Sequence, residues 1–249
     1  MSSERKEVRA VAVYCGSSAG KRSAYAKVAH LIGVALAKDN RPLIYGGGAP
    51  GHGLMGAVAQ AVVQAGGKVI GITPYAMVAA GGEQDNATEL SGTKSRVQLQ
   101  ANNSNQANSP SQIIVNSMHE RKVEMAKRAC GFIALPGGFG TLEEFFEVTT
   151  WTQIGIHDKP VVLLNVLNYY GPIREMIKSA IEEGFVQSFN QRLVTFVDGP
   201  EDLAQHETYD WGTAALRAIA NWKEGETKSN YDWTKRIDGT QVEESLTAS

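Results

Sequence analysis

Apolar residues along this chain fall in short runs, separated by longer stretches in which only one side of a helix would be apolar. The runs at residues 8–15, 42–45, 68–73, 131–135, 160–166 and 192–197 are too short for helices, and most are closed by Gly or Pro, so they read as buried strands. Between them, residues 23–37 carry Ala26, Ala29, Ile32 and Leu36 at helical spacing, and residues 54–65 form a second, Ala-rich helical stretch. Further helices are predicted after Ser117, over 142–154, from Pro172 near a first helical position to Glu183, and over 208–222, with a short acidic one opened by Pro200 and Glu201. Strands that alternate with helices predict an α/β fold. The expected architecture is a single-domain, Rossmann-like, doubly wound parallel sheet of six core strands flanked by helices, spanning residues 8–223.

Two stretches break the pattern. Residues 79–112 are rich in Gly, Asn, Gln and Ser and contain no aromatic residue, and 98–112 in particular has too little to bury to offset chain ordering. This reads as a mobile surface insertion, with a short apolar segment at 113–116 resuming the fold. Residues 224–249 are polar and read as a loose C-terminal tail.

The most informative stretch is Leu135-Pro136-Gly137-Gly138-Phe139-Gly140-Thr141-Leu142-Glu143-Glu144, a glycine turn between a strand and a helix. Such a turn lets backbone N–H groups approach a ligand, and the helix start it opens is suited to a phosphate. It is not a P-loop, because no Gly-Lys-Ser/Thr follows. A methyl group at Gly138 is expected to intrude on the phosphate or to force an unfavourable φ. Glu143 and Glu144 lie on the helix's first turn. Glu144 has two readings: Thr141-x-x-Glu144 matches a capping box, and a carboxylate beside an anion site is also a candidate for chemistry. Ser117-x-x-Glu120 is a second capping box, which gives Glu120 a structural role. Arg121 and Lys122 follow on what reads as an exposed first turn, as solvated charges or as ligand contacts; His119 reads as structural or rim. Phe145 and Trp151 read as core or subunit-contact residues.

Gly51-His52-Gly53-Leu54-Met55-Gly56 matches the dinucleotide fingerprint, but it follows the second strand, and the next strand ends without Asp or Glu to hold a ribose hydroxyl. The glycines serve either a tight strand-to-helix turn or the close approach of a nucleotide. Composition narrows the field further. The chain has 249 residues, 43% hydrophobic, with a net charge of −2, and no basic stripe marks a nucleic-acid partner. Cys15 and Cys130 lie in apolar contexts and read as buried thiols rather than a disulfide or metal pair. No ligand-spaced His/Cys/Asp cluster calls for a metal, and no cofactor is expected. The N-terminus lacks the apolar core of a signal peptide and no run is long enough to span a membrane, so a cytoplasmic location is expected.

Pro136-Gly137-Gly138-Phe139-Gly140-Thr141-Leu142-Glu143-Glu144, with Met118-His119-Glu120-Arg121-Lys122, Tyr45-Gly46-Gly47-Gly48 and the 150–160 stretch ending His157-Asp158-Lys159-Pro160, resembles the LOG ("lonely guy") family. Its members are cytokinin riboside 5′-monophosphate phosphoribohydrolases, often mislabelled lysine decarboxylases. The resemblance covers roughly residues 11–221 and implies hydrolysis of the N-glycosidic bond of a nucleoside 5′-monophosphate to free base and ribose 5-phosphate. It implies Arg121, Glu144 and Glu143 as the catalytic set, with Glu144 first and Glu143 as alternate or helper. It implies substrate binding by Gly46, Gly47, Met118, Lys122, Gly137, Gly138, Phe139, Gly140 and Thr141, a nucleotide pocket bordered by the 51–56 loop, and an assembly that is at least a dimer. A pyridoxal-phosphate decarboxylase would need a Schiff-base lysine, and the glycine loop has none. The alternative from another class is a nucleotide-binding or sensor module of the same fold without turnover.

Overall fold

The computed structural model describes residues 9–47, 51–80, 111–223, 231–235 and 237. Gly48, nearly all of the expected 79–112 insertion and most of the 224–249 tail lie outside the described residues. Seven strands, β1 (Ala10–Tyr14), β2 (Leu43–Tyr45), β3 (Val69–Pro74), β4 (Ser111–Val115), β5 (Ala129–Ala134), β6 (Val161–Leu164) and β7 (Val194–Val197), form one parallel sheet. Their order is β4-β3-β2-β1-β5-β6-β7. The helices are α1 (Ser23–Lys38), α2 (Gly53–Gln64), α3 (Tyr75–Ala79), α4 (Met118–Arg128), α5 (Phe139–Gln153), α6 (Gly171–Glu182) and α7 (Trp211–Ala220).

The doubly wound parallel sheet is as expected, but among the described residues it has seven strands rather than six. The extra one is β4, which pairs with β3 from Ile70↔Ser111 to Pro74↔Val115. It begins inside the stretch read as insertion. As an edge strand it tolerates Ser111, Gln112 and an exposed Ile114, so its apolar pattern is too diluted to read as a strand. The inner strands are continuous apolar runs because both of their faces are covered. Along β1 the faces alternate with period two. Val11 and Val13 pack with α1, α2 and α7 residues such as Ile32, Val58 and Trp211. Ala12 and Tyr14 pack on the other side with Met125, Phe145 and Phe132. Side chains as fully buried as Leu36 each contribute about 1.5–3 kcal/mol through removal from water.

Strands β1 to β4 progress toward one edge, and α4 then returns the chain so that β5 lies on the other side of β1. The switch point is therefore between β1 and β5. Ligands of such sheets bind in the crevice outside the carboxyl ends at that point. The glycine turn at the end of β5 and the start of α4 both lie on this edge.

The 150–160 stretch, the last turn of α5 and the segment after it, packs elsewhere. His157 is buried against Phe132 and Trp151, with Nδ1 3.4 Å from Thr152 Oγ1, and Lys159 donates to the Ala126 carbonyl near the end of α4 at 2.7 Å. Burial, reinforced by the Lys159 charge, pulls the His157 pKa from 6.5 down to about 3. Between those values the unfolded chain binds the proton and the folded one does not, so stability falls as pH drops from 6.5 toward 3. From pH 7 to pH 4.5 this group alone should cost about 2–3 kcal/mol. Urea unfolding of the wild type and His157→Gln across that range should show a shallower acid loss in the variant; parallel pH profiles would remove His157 from the acid response.

Candidate active site

Helix α5 begins at Phe139, with Gly138 as its N-cap. Its first intrahelical bond runs from the Leu142 N–H to the Gly138 carbonyl at 3.1 Å, so the amides of Phe139, Gly140 and Thr141 precede the ladder. Gly138, Phe139 and Gly140 are exposed at the mouth of the crevice, and Phe139 is 92% exposed. Thr141 is therefore a first-turn residue and not the cap, which removes the capping-box reading of Glu144. Of the two expectations for Gly138, the unfavourable φ needs correction. Its φ is −92°, open to any residue, and a β-carbon there would meet no protein atom within 4 Å. The constrained glycine is Gly137, where a β-carbon would stand 2.1 Å from Thr141 Oγ1 and 2.9 Å from Gly16 N.

The turn after β1 closes this loop from the side. The Gly16 N–H donates to the Pro136 carbonyl at 3.1 Å, and the Gly16 carbonyl accepts from the Leu54 and Met55 amides at 3.1 and 3.3 Å. The start of α2 is thus spent on the β1 turn, and Gly53 lies where a β-carbon would collide with the Ser17 carbonyl. Of the 51–56 fingerprint, Gly53 serves that packing.

Helix α4 is capped by Ser117, whose hydroxyl accepts from the Glu120 N–H at 3.0 Å. Glu120 reaches back to the Asn116 N–H at 2.7 Å, the structural role read from the sequence. One residue on, Arg121 is 4% exposed, not the solvent-facing residue expected. Its Nη2 lies 3.5 Å from Glu144 Oε1, and Glu144 is itself 8% exposed. The space for the guanidinium comes from Gly46: a β-carbon there would stand 1.6 Å from Arg121 Nη2. Gly47, at φ +89°, packs on Thr73, and Met118 places its sulfur 3.7 Å from Arg121 Nη1.

Arg121, Glu144, Gly46 and Met118 thus come together. Glu143 and Lys122 do not join them. Lys122 donates to Glu143 at 2.5 Å and to Glu147 at 3.0 Å, a bridge on the more exposed side. Burial pulls the Lys122 pKa down, but the hydrogen bonds to the two carboxylates outweigh it and the pKa is raised. Sequence reasoning missed Tyr14. It is 2% exposed and stacked on Phe132, and burial first, then the charges of Glu144 and Glu147, hold its hydroxyl protonated well above pH 10.0. A tyrosine inside an apolar run carries no sequence signal that would have set it apart from core. Of the two cysteines, Cys15 is buried and Cys130 half-buried, and neither is in a disulfide.

A family model described as "possible lysine decarboxylase" matches residues 55–206, which include Arg121, the glycine turn and Glu144. A probable cytokinin riboside 5′-monophosphate phosphoribohydrolase, LOGL2 of Oryza sativa subsp. japonica, is 38% identical over 97% of this chain and 90% of its own length. The cytokinin riboside 5′-monophosphate phosphoribohydrolase LOG3 of Arabidopsis thaliana is 42% identical over 82% of this chain and 84% of its own. The chain belongs to the LOG family. Among solved structures, the molybdenum cofactor carrier protein of Chlamydomonas reinhardtii superposes with a TM-score of 0.52 at 19% identity, covering 86% of this chain and 99% of that one, a likeness of fold. In this LOG-family chain Gly46 lies before the matched segment, yet it is the residue that makes room for Arg121.

The two glycines make a clean contrast. Gly137→Ala should melt lower, since overpacking at a backbone contact costs about 1–3 kcal/mol. Gly138→Ala should melt with the wild type and lose only affinity for adenosine monophosphate. Thermal melts with calorimetric titration check this; a stable Gly137→Ala or a destabilised Gly138→Ala would contradict the packing described.

Proposed function

We propose that this protein hydrolyses the N-glycosidic bond of cytokinin riboside 5′-monophosphates, N6-substituted adenosine monophosphates and adenosine monophosphate itself, to free base and ribose 5-phosphate. The observation that carries the reading is a buried arginine–carboxylate pair whose glutamate lies on the first turns of α5, the helix whose start, Gly138 to Gly140, is exposed. The curated relatives named as phosphoribohydrolases support the same activity. In this reading the amides of Gly137 to Thr141 and the Thr141 hydroxyl hold the phosphate, at the positive end of α5. Gly46, Gly47, Met118 and Phe139 line the ribose and base. Glu144 faces C1′, stabilises the positive charge that develops on the sugar as the base departs, and takes a proton from the attacking water. Arg121 orients the Glu144 carboxylate and contacts the ribose phosphate. Glu143 holds Lys122 beside the site and stands as the alternate carboxylate.

Lysine decarboxylation suits these side chains poorly. A Schiff-base lysine needs an accessible neutral amine. Lys122 is held charged by Glu143 and Glu147, and Lys159, whose pKa burial lowers to about 8, is 5% exposed and donates to the Ala126 carbonyl. No described helix is long and apolar enough to cross a membrane. A cytoplasmic location and, on the family resemblance, a homodimer or larger assembly complete the proposal.

Two measurements test the reading. Glu144→Gln should keep its affinity for the monophosphate and lose about 10²–10⁴-fold in kcat, the range of a positioned acid–base group. Near-normal turnover with a lower Tm would leave Glu144 a structural residue. Adenosine, its monophosphate and its triphosphate, compared by base release on HPLC, test the anchor. Charge-assisted hydrogen bonds are worth about 1.5–3 kcal/mol each, so losing two should cost the nucleoside roughly two to four decades in kcat/KM. The triphosphate should also be poor, since no P-loop lysine handles a polyphosphate. Equal rates for nucleoside and monophosphate would sink the anchor, and binding of the monophosphate with no base release would favour a sensor module.

A further inference from the structure

The turn after β6 is held in an unusual backbone conformation by contacts unrelated to the arginine–glutamate pair. Leu167 and Asn168 both adopt left-handed φ values, 52° and 58°, which side-chain-bearing residues seldom do. Several bonds enforce them. The Leu167 N–H donates to Nδ1 of buried His206 at 3.0 Å, and His206 Nε2 donates to the Pro200 carbonyl at 2.8 Å. Asn165 accepts from the Tyr170 N–H at 2.7 Å and donates to Asn168 Oδ1 at 3.1 Å and Asp198 Oδ1 at 2.8 Å. Backbone strain that surroundings over-determine in this way points to a constraint on what the turn presents.

What the turn presents is two tyrosine hydroxyls. Tyr170 donates to the Leu135 carbonyl at 2.6 Å, and Tyr169 to the Gly137 carbonyl at 2.5 Å. With Gly16 N–H on the Pro136 carbonyl, three successive carbonyls of the glycine loop are each held by a donor. All the described peptides are trans, and in a trans peptide the N–H points opposite to the C=O. Fixing the Gly137 carbonyl therefore fixes the Gly138 N–H. Tyr169 packs edge-on against Tyr25 of α1, with ring centroids 6.1 Å apart, and against Tyr170, at 5.1 Å. The Gly138 N–H consequently points away from the Tyr169 hydroxyl.

We propose that Tyr169 is a positioning residue for anion binding: its hydroxyl locks the Gly137–Gly138 peptide so that the Gly138 amide donates to the substrate's phosphate. This rests on the phosphate-site reading above and adds the residue that sets its geometry. Tyr170 supplies an internal control. The peptide it holds joins Leu135 to Pro136, which has no N–H to aim. Its hydroxyl serves the fold, while that of Tyr169 serves the ligand.

The test compares Tyr169→Phe with Tyr170→Phe, by calorimetric titration with ribose 5-phosphate and with adenosine monophosphate, by melting, and by kinetics. Tyr169→Phe keeps the ring packing, so its Tm should stay near wild type. Its Kd for ribose 5-phosphate and its KM for the monophosphate should rise about tenfold, the loss of one well-aimed charge-assisted bond, with adenosine turnover unchanged. Tyr170→Phe should melt lower and keep its Kd for ribose 5-phosphate within about twofold. Unchanged affinity in Tyr169→Phe, or equal weakening in both variants, would overturn the assignment. If no base is released from any nucleotide but Tyr169→Phe still weakens ribose 5-phosphate binding, the hydrolase reading fails and the role of Tyr169 stands. A wild-type protein that binds neither phosphate ester would overturn both.

Discussion

Arg121 is a permanent charge with almost no contact with water, and the site is arranged around that cost. A buried guanidinium needs an anion and needs room. Glu144 supplies the anion at 3.5 Å, and Gly46 supplies the room, since a β-carbon at that position would occupy the place of Nη2. The requirement ties together three separate segments: the end of β2, the first turn of α4 and the first turns of α5. Breaking such a pair by removing one partner costs about 3–5 kcal/mol, because the other charge is left buried alone. An alanine at Arg121 therefore confuses folding with chemistry, contrary to what an exposed first-turn arginine would suggest. The parallel sheet makes the meeting possible by bringing the carboxyl ends of β1, β2 and β5 side by side.

The proposed mechanism divides anchoring from chemistry. Gly138, Phe139 and Gly140 stand in water, where a phosphate would exchange its hydration for amide donors. Arg121 and Glu144 are buried, where low local dielectric would make a carboxylate more effective against a developing positive charge. In that mechanism a nucleoside monophosphate has its charged end at the exposed helix start and its glycosidic bond at the buried pair. Tyr14 is buried and stays protonated in the field of Glu144.

Much of this was legible in the sequence because the signals were local. Six strand runs, the glycine turn and the Ser117 cap each depend on residues a few positions apart, and each appears where it was read. What was not legible depends on distant partners. Adjacent Arg121 and Lys122 look alike in a charged stretch; only Gly46, 75 positions away, decides that one is buried. The capping-box pattern at Thr141 failed because Gly138 had already started the helix. β4 escaped because an edge strand needs apolar residues on one side only, and Tyr169 because its partner is a backbone carbonyl, which has no sequence signature.

The neighbouring carboxylates Glu143 and Glu144 differ in role because of helix geometry. Successive residues on an α-helix are about 100° apart, so adjacent side chains cannot share a face, whereas residues four apart do. Glu144 is therefore turned to the sheet and Arg121, while Glu143 and Glu147 together face Lys122. The same rotation separates Arg121 from Lys122 on α4. Two helices with Arg-Lys on one and Glu-Glu on the other consequently meet in two rungs, the Arg121–Glu144 one buried and the Lys122 one half-buried, with the Lys122 side chain 14% exposed. The second rung links the faces of α4 and α5 beside the first. The doubled charges of both motifs are thus split by helix rotation into a buried pair and a half-buried one next to it.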